Sequence, residues 1–254
     1  MSSKQRRLGR TLDLPPEPVY LRLDMYSNAL VPLRTGRVLR RYYHRLHHHF
    51  GPQHWWPART RFEVVLGALL TQNTNWRNVE KALANLRRAG VLTPVKLTDL
   101  SVSRLARLLR PSGYFRQKTR TVRRFLAHLH RHYRGSLARL LRRPTSELRL
   151  ELLALPGIGN ETADSILLYA AGRPVFVIDA YTRRILSRHW LAPEKASYAE
   201  LQDLFHRHLR HDRTFFNQYH ALLVAAGKKY CHREQPHCSA CPLGIELESS
   251  HGTL

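Results

Sequence analysis

A glycine-rich turn followed one helix later by an aspartate constrains this chain more than any other feature. The segment from Leu155 to Leu186 reads LPGIGNETADSILLYAAGRPVFVIDAYTRRIL. The two glycines of LPGIG predict a turn that opens a helix, where unhindered backbone N–H groups and the positive end of the helix dipole can hold a phosphate. Asp179 follows the apolar run 175–178 and precedes a second helix that begins near Ala180. The pattern therefore predicts a carboxylate fixed beside an anion-binding turn.

The charge of the chain points to a polyanionic partner. Its 254 residues include 42 Lys and Arg against 18 Asp and Glu, a formal net charge of +24 with the 16 histidines counted as neutral. Such an excess suits nucleic acid far better than a small metabolite, but charge alone does not separate DNA from RNA or from an anionic membrane surface. Nucleic acid is the predicted partner, and a merely solvated basic face is the alternative.

Length and composition limit the architecture. A chain of 254 residues suffices for one large domain or two modest ones. No apolar stretch is long enough to span a bilayer, and residues 1–19 are basic without the apolar core of a secretory signal, so we expect a flexible basic arm there. The cysteines all fall between Cys231 and Cys241, which predicts a reducing compartment and a local metal site rather than a disulfide framework.

Helical periodicity recurs along most of the chain. Apolar residues repeat at i, i+3, i+4 and i+7 in two clear amphipathic segments, 62–70 and 122–129. Similar patterns, interrupted by Pro and Gly, predict helices over 36–49, 75–89, 100–109, 137–143, 147–154, 160–171, 180–189, 197–210 and 214–228. Strand-like alternation is scarce, so the predicted fold is all-α. The histidine-rich stretch 43–49 lies on one of these helices and is interpreted as a basic exposed face.

Three segments follow one another in an order typical of one protein family. The first consists of LPGIG, a helix and an apolar run that ends in Asp179. The others are GALLTQNTNWRNVEKAL, from Gly67 to Leu83, and PSGYFRQKTRTV, from Pro111 to Val122. Over residues 55–241 the chain resembles the endonuclease III superfamily of DNA base-excision glycosylases, with its helix-hairpin-helix and Gly-Pro-Asp signature. The resemblance implies two helical subdomains flanking a DNA cleft. A six-helix barrel over 58–172 would end in the hairpin, and 20–57 would pack with 173–254 as a second lobe.

The resemblance also implies roles for individual residues. Enzymes of this kind extrude a base from duplex DNA and fill the gap with a side chain, here Gln72. Hydrolysis of the glycosidic bond builds oxocarbenium character on the sugar, which Asp179 would stabilise while it positions or deprotonates water. The alternative is that Asp179 only caps the following helix, and the two roles are compatible. Contacts to the DNA backbone are expected from Leu155, Gly157, Gly159, Arg116, Lys118, Arg183 and Arg184.

One position of the hairpin predicts how far the reaction proceeds. Superfamily members that also cut the strand carry a lysine two residues after the second glycine, and its amine attacks the sugar to form a Schiff base. Glu161 stands there in this chain. A carboxylate cannot form an imine, so the resemblance implies a monofunctional glycosylase, with Lys118, Lys228 and Lys229 as the lysines that folding could bring to the site. Glu161 would orient water or a base edge, or it would simply be a carboxylate that the helix dipole favours in the first turn.

Three tryptophans indicate the base that is removed. The chain resembles the 3-methyladenine branch of the superfamily in these tryptophans, Trp55 and Trp56 in WWP and Trp76 in QNTNW, together with Glu161. An N-alkylated purine is cationic, so indole faces would hold it by stacking and cation–π attraction, whereas core packing is the alternative for each tryptophan. The weaker candidates are Tyr114 and Tyr181. We expect a monomer acting on damaged duplex DNA in a bacterial cytoplasm, at the nucleoid, or in a eukaryotic nucleus.

Two other functions compete with this one. The first is an oxidised-pyrimidine glycosylase with lyase activity through a displaced lysine, which would form a covalent imine with DNA. The second is a non-catalytic binder of damaged DNA, which would release no base. An intact Asp179 argues against the binder.

The cysteines resemble an incomplete iron–sulfur loop. Cys231, Cys238 and Cys241 match the first three ligands of the superfamily's C-x6-C-x2-C-x5-C spacing, and the fourth position is Leu247. Leucine cannot bind iron, and a 4Fe–4S cluster normally takes four thiolates. The alternatives are a cluster with an outside ligand such as Glu248 or His251, a zinc ion held by three cysteines and a histidine, or a loop that has lost its metal. The spacing favours a cluster or its remnant over zinc.

Overall fold

The computed structural model describes residues 30–251, with side chains described over 35–247, and these residues fold into thirteen α-helices without a strand. The helices are α1 Leu30–Phe50, α2 Arg61–Leu70, α3 Trp76–Arg88, α4 Pro94–Thr98, α5 Val102–Leu109, α6 Phe115–Tyr133, α7 Leu137–Leu141, α8 Thr145–Leu153, α9 Asn160–Ser165, α10 Ala180–Arg188, α11 Tyr198–His208, α12 Arg213–Lys229 and α13 Gly244–His251. The predicted all-α class is confirmed. The predicted basic arm, 1–19, lies outside the described residues. None of the described helices is both long and apolar enough to cross a membrane.

Local sequence signals explain where most helices begin. Thr60, Asn75 and Ser197 each stand just before a helix, and each side chain accepts a hydrogen bond from the backbone N–H three residues later. The periodic pattern missed α4 and α13, because α4 buries only Leu97 and α13 has no clear apolar face. The predicted helix 160–171 changes pitch over Ile166–Ala170, where the turns widen to a π-helix.

Buried side chains form two hydrophobic clusters. The first gathers apolar residues of α2 to α9 around Val65, Phe125 and Ile166. The second gathers residues of α1 and α10 to α12 around Phe176 and Tyr219. The chain passes between the clusters in the stretch 166–178, which lies immediately before α10. The lobe boundaries implied by the resemblance, 58–172 and 20–57 with 173–254, stay a prediction.

The histidine-rich stretch of α1 corrects a prediction. His44 and His48 are exposed, as expected of a basic surface. Tyr43, however, packs its ring 4.5 Å from that of Phe215, and Leu46 is fully buried in the second cluster. His49 is exposed and forms a 2.9 Å hydrogen bond with the Tyr230 hydroxyl. Because α1 lies against α12, one face of the stretch is part of the second cluster rather than free surface.

Candidate active site

A cavity of about 100 Å³ lies between the two clusters and brings several of the predicted site residues together. Its walls include six of them: Gln72, Trp55, Trp56, Trp76, Glu161 and Asp179. These residues come from four separate parts of the chain, so only the tertiary structure makes them neighbours. A larger cavity, about 730 Å³, shares Trp55 but contains neither carboxylate. The two predicted catalytic carboxylates, Asp179 and Glu161, therefore line the smaller cavity and not the larger one, whose carboxylate is Asp212.

Asp179 both caps a helix and faces this cavity. Its Oδ1 accepts a 2.7 Å hydrogen bond from the backbone N–H of Thr182 in the first turn of α10. The cap fixes the carboxylate, because rotation about its side-chain bonds would break this bond. Its Oδ2 lies 3.7 Å from Nε2 of His220, and only 12% of the side chain is exposed. The capping alternative is thus compatible with a second role for Oδ2.

Glu161 occupies the mouth of the same cavity in the first turn of α9. Glu161 is exposed to solvent but also lines the cavity beside Asp179. Partial withdrawal from water, together with the negative charge of Asp179, raises the pKa of Glu161 to about 7. The cavity therefore holds two carboxylates in different surroundings, and Glu161 exchanges its proton near neutral pH.

The three tryptophans pack against one another in the cavity wall. The ring centroids of Trp55, Trp56 and Trp76 are 5.1 to 5.3 Å apart, and the rings of Trp56 and Trp76 are perpendicular. Each indole Nε1 is buried and lacks a hydrogen-bond partner in the described part of the chain. Buried donors of this kind normally have an acceptor, so the wall is suited to a ligand with acceptor atoms on its edge.

The hairpin between α8 and α9 has the geometry that its glycines predict. Gly157 has φ +100°, and a Cβ atom there would collide with Oγ1 of Thr121 on α6. Gly157 and Gly159 are exposed, Leu155 is half-buried, and α9 begins directly after Gly159. Gln72 lies against this turn: its Nε2 donates to the carbonyl of Gly157 at 2.9 Å and to Oγ1 of Thr162 at 3.0 Å. The side chain predicted to replace an extruded base is thus attached to the predicted phosphate-binding turn.

Lys118 corrects a prediction about DNA contacts. It is only 3% exposed, and its Nζ donates to the carbonyl of Ser112 at 2.5 Å, which ties the start of α6 to the preceding turn. Burial lowers the pKa of Lys118 to about 8. A lysine directed into the protein interior cannot reach a phosphate on the surface, so the predicted backbone contact by Lys118 is wrong for this structure, and Lys118 does not line the cavity.

The three predicted arginines differ in their availability to DNA. Arg183 donates to the carbonyl of Ala196, and Arg184 donates to the carbonyl of Cys231 at 2.8 Å while its guanidinium lies over the Tyr181 ring. Arg116 is exposed, with its guanidinium near the Phe115 ring. Of the three, Arg116 is the one directed toward solvent.

The cysteine loop does not fit a four-thiolate cluster. Within residues 35–247 no group of three or more His, Cys, Asp or Glu side chains is placed to hold a metal ion. The Sγ of Cys231 accepts a 3.2 Å hydrogen bond from Arg188, and Leu247 occupies the position of the expected fourth cysteine. The alternative ligands, Glu248 and His251, have side chains outside the described residues. No step of the chemistry below depends on a metal.

Three residues of the site were missed or only partly foreseen. His220 and Tyr169, from α12 and the π-helical turn, meet beside Asp179, and Lys228 lines the cavity near Trp55. A lone histidine inside the apolar run of α12 resembles an ordinary core residue, so no sequence pattern selects His220. Lys228 was one of three lysines named as candidates, and its neighbour Lys229 instead lies over the rings of Phe50 and Tyr230. Of the weaker aromatic candidates, Tyr181 lines the cavity, whereas Tyr114 is exposed and does not line it.

Comparison with known proteins agrees with the geometry. A family model for HhH-GPD superfamily base excision DNA repair proteins matches residues 66–211, more than half of the chain. The chain belongs to this superfamily. A protein of Methanocaldococcus jannaschii that is provisionally named a DNA repair glycosylase is 43% identical over 197 residues, which cover 77% of this chain and 89% of the relative.

Two solved structures share the fold. The Helicobacter pylori 3-methyladenine DNA glycosylase bound to 1,N6-ethenoadenine is 28% identical with a TM-score of 0.67, covering 77% of this chain and 97% of its own. A trapped covalent complex of endonuclease III with DNA is 22% identical with a TM-score of 0.72, covering 85% of this chain and 98% of its own. The predicted superfamily is confirmed, and the chain is a DNA repair glycosylase of the HhH-GPD superfamily.

Proposed function

We propose that this glycosylase hydrolyses the N-glycosidic bond of alkylated purines, such as 3-methyladenine, in duplex DNA, and that it acts as a monomer without cutting the strand. The observation that carries the proposal is the cavity between the two clusters. It combines a capped aspartate, a second carboxylate that titrates near neutral pH and three mutually packed tryptophans. The likeness to the Helicobacter pylori 3-methyladenine glycosylase supports the choice of base.

The hairpin would hold the strand while the base enters the cavity. Exposed N–H groups around Gly157 and Gly159 face the solvent where a phosphate can approach. Gln72 lies next to the same turn, so a small movement would carry it into the gap that the extruded base leaves in the stack. The flipped base would stack on an indole, and the unpaired indole N–H groups would donate to ring nitrogens at its edge.

Asp179 would act on the sugar. As the C1′–N bond breaks, its electron pair leaves with the base and positive charge develops on the sugar, which the fixed carboxylate stabilises. A water molecule forms the new C1′–O bond and gives up a proton to Asp179. The product is an abasic site, and the released base of a cationic lesion leaves as a neutral molecule. Ionised Glu161 would add a second negative charge beside the cationic base and the sugar.

A panel of duplexes, each with one lesion, tests the proposal. We expect release of free alkylated purine from the wild-type protein and strand breakage only after alkali. Asp179→Asn keeps the size of the side chain but removes its charge, so single-turnover excision should fall by about 10²- to 10⁴-fold. Undiminished base release by this variant would refute the role of Asp179. Release of oxidised pyrimidines alone would refute the substrate class.

A second candidate function rests on Lys228. This lysine lines the same cavity as Asp179, and its Nζ lies 5.7 Å from the centre of the Trp55 ring. Its amine could attack C1′ and displace the base, forming an imine that leads to strand cleavage. Borohydride reduces such an imine to a stable protein–DNA adduct. A strong adduct that disappears in Lys228→Gln would favour this lyase over the monofunctional enzyme, and no adduct is expected under our proposal.

A further inference from the structure

His220 is a buried histidine that points into the catalytic cavity from α12. It is 6% exposed, and its Nδ1 lies 2.5 Å from the hydroxyl of Tyr169 in the π-helical turn. Its Nε2 has no hydrogen-bond partner among the described residues and lies 3.7 Å from Oδ2 of Asp179. A buried ring nitrogen left unpaired beside a carboxylate requires a physical explanation, because such atoms normally have partners.

The tautomer of His220 follows from its neighbours. Burial lowers the pKa of His220, so the imidazole is neutral and carries one N–H. Burial and the charge of Asp179 hold the pKa of Tyr169 well above its usual range, so the phenol keeps its proton. If the Tyr169 hydroxyl donates to Nδ1, the N–H of His220 is on Nε2 and faces Asp179. The opposite tautomer would direct a lone pair at a carboxylate, which is electrostatically unfavourable. Glu161 and Lys228, at the mouth of the same cavity, are the other charged groups near Asp179.

The 3.7 Å separation suggests when the contact forms. It is longer than a hydrogen bond of about 2.7–3.2 Å and too short to admit a bridging water. A sub-ångström shift of the carboxylate closes it, and Oδ1 is already held by the Thr182 N–H. With both oxygens engaged, the carboxylate would keep one orientation toward the sugar.

We propose that Tyr169 and His220 form a positioning pair for Asp179, in which Tyr169 holds His220 in the Nε2–H tautomer and His220 donates to Oδ2 during catalysis. This inference rests on the proposed function, because it assigns the hydrogen-bonding partner of the aspartate that acts on the sugar. Neither residue is assigned a contact with the base.

Two variants of His220 separate the effect of losing the hydrogen-bond donor from the effect of losing the volume of the ring. The amide nitrogen of Gln can replace Nε2, and that of Asn can replace only Nδ1. With DNA methylated by dimethyl sulfate as the probe, we expect His220→Asn to slow single-turnover release of methylated purines by about ten- to a hundredfold, and His220→Gln to retain most of the rate. His206→Gln is the matched control. It replaces a partly buried histidine that lies away from the cavity and accepts a hydrogen bond from the Phe176 N–H, and it should leave the rate per folded molecule unchanged.

Tyr169→Phe removes only the hydroxyl and tests the tautomer. Long-range ¹H–¹⁵N spectra of the wild-type protein should show His220 protonated on Nε2, and the phenylalanine variant should show a mixture of tautomers. Tyr133→Phe, which loses a hydroxyl bonded to Glu151, is the control and should leave the His220 signals unchanged. A wild-type His220 protonated on Nδ1 would overturn the inference whether or not methylated DNA is a substrate.

A double-mutant cycle distinguishes positioning from general stability. Because His220 is proposed to act through Asp179, His220→Asn should change the residual rate of Asp179→Asn by no more than about twofold. If His220→Asn slows the Asp179→Asn protein by the same factor as it slows the wild type, the inference is overturned. A wild-type rate in the single variant His220→Asn would also overturn it, and either result leaves the proposed function intact. Absence of base release by the wild-type protein would refute the proposed function, and the tautomer spectra would then decide the inference alone.

Discussion

Asp179 and Glu161 stand in one cavity but in different surroundings. Asp179 accepts a backbone hydrogen bond and is almost enclosed, whereas Glu161 is exposed and lines the same cavity. Two carboxylates whose environments differ can perform different tasks at the same pH. Glu161 therefore gives the cavity a second carboxylate, whose charge changes near neutral pH.

The titration of Glu161 leads to a prediction at the residue scale. Because its pKa is raised to about 7, Glu161 loses its proton as the pH passes through neutrality and then adds negative charge beside the developing sugar cation. We expect the single-turnover release of a cationic purine to rise between about pH 6 and 8, and Glu161→Gln to lack this rise. The measurement is the pH dependence of the single-turnover rate for both proteins. An equal rise in the variant would assign the titration to another group.

At the scale of elements, the hairpin depends on one backbone conformation. Gly157→Ala places a side chain at φ +100° and against Thr121, so we expect a loss of about 1–3 kcal/mol in unfolding free energy and weaker binding to damaged and undamaged duplexes alike. Gly90→Ala is the matched control: φ is +66° there, but a Cβ meets nothing within 4 Å. It should cost less stability and leave DNA affinity unchanged. Denaturant unfolding and fluorescence anisotropy measure the two effects, and equal affinities for both variants would contradict the role of the turn.

Helix α13, which follows the cysteine loop, is attached to α1 by ion pairs. Arg41 and Arg45 both bond Glu246, at 2.6 and 2.8 Å, and Glu246 is 6% exposed. Burial opposes the charged form of Glu246, but the hydrogen bonds and charges of the arginines outweigh it and lower the pKa. The stabilisation is therefore present above the ordinary value of 4.5 and is lost as the pH falls through the lower value of the folded state.

Removal of both arginines tests this attachment. Arg41→Ala with Arg45→Ala removes two arginines that bond a buried carboxylate, so we expect a loss of about 3 kcal/mol in unfolding free energy at neutral pH. Asp203→Asn breaks the exposed pair with Arg207 and should cost less than about 0.5 kcal/mol. Thermal unfolding with and without a chelator completes the experiment. A large fall in melting temperature on chelation would show that a metal, and not these ion pairs, carries the stability of the loop.

At the scale of the whole molecule, the cavity exists because two clusters face each other. Trp56 and Trp76 pack against the first cluster, whereas Asp179 follows a run of residues buried in the second. A change in the relative position of the clusters would separate the aromatic wall from the carboxylate. The long-range contacts between α1, α12 and the π-helical turn hold this arrangement.

The net charge predicts a property of the whole molecule. At +24, the protein should bind duplex DNA with an affinity that falls by roughly 0.9 log units per tenfold increase in salt for each phosphate neutralised. Anisotropy titrations with Asp179→Asn, whose slow base release should leave the duplex intact during the titration, measure this slope. Damaged and undamaged duplexes should give similar slopes, because phosphate contacts do not depend on the lesion. A salt-independent affinity would contradict binding through the DNA backbone.

The sequence alone predicted what depends on local pattern or on a family motif. Apolar periodicity located most helices, and the order of three motifs identified the superfamily. Helix α4 was missed, because only one of its residues, Leu97, is buried and a single buried position shows no period. Lys118 was misplaced, since a basic residue in a basic helix gives no local sign that its amine bonds an interior carbonyl.

By itself, the sequence determined the helical class, the family and the residue types at the hairpin, because each is encoded over short stretches of chain. Only the tertiary structure decided that Asp179 faces His220, that Glu161 is partly withdrawn from water and that Lys228 reaches the cavity. These properties depend on distance and solvent exclusion between segments far apart along the chain. No local pattern contains them, since they arise only when the two clusters pack together.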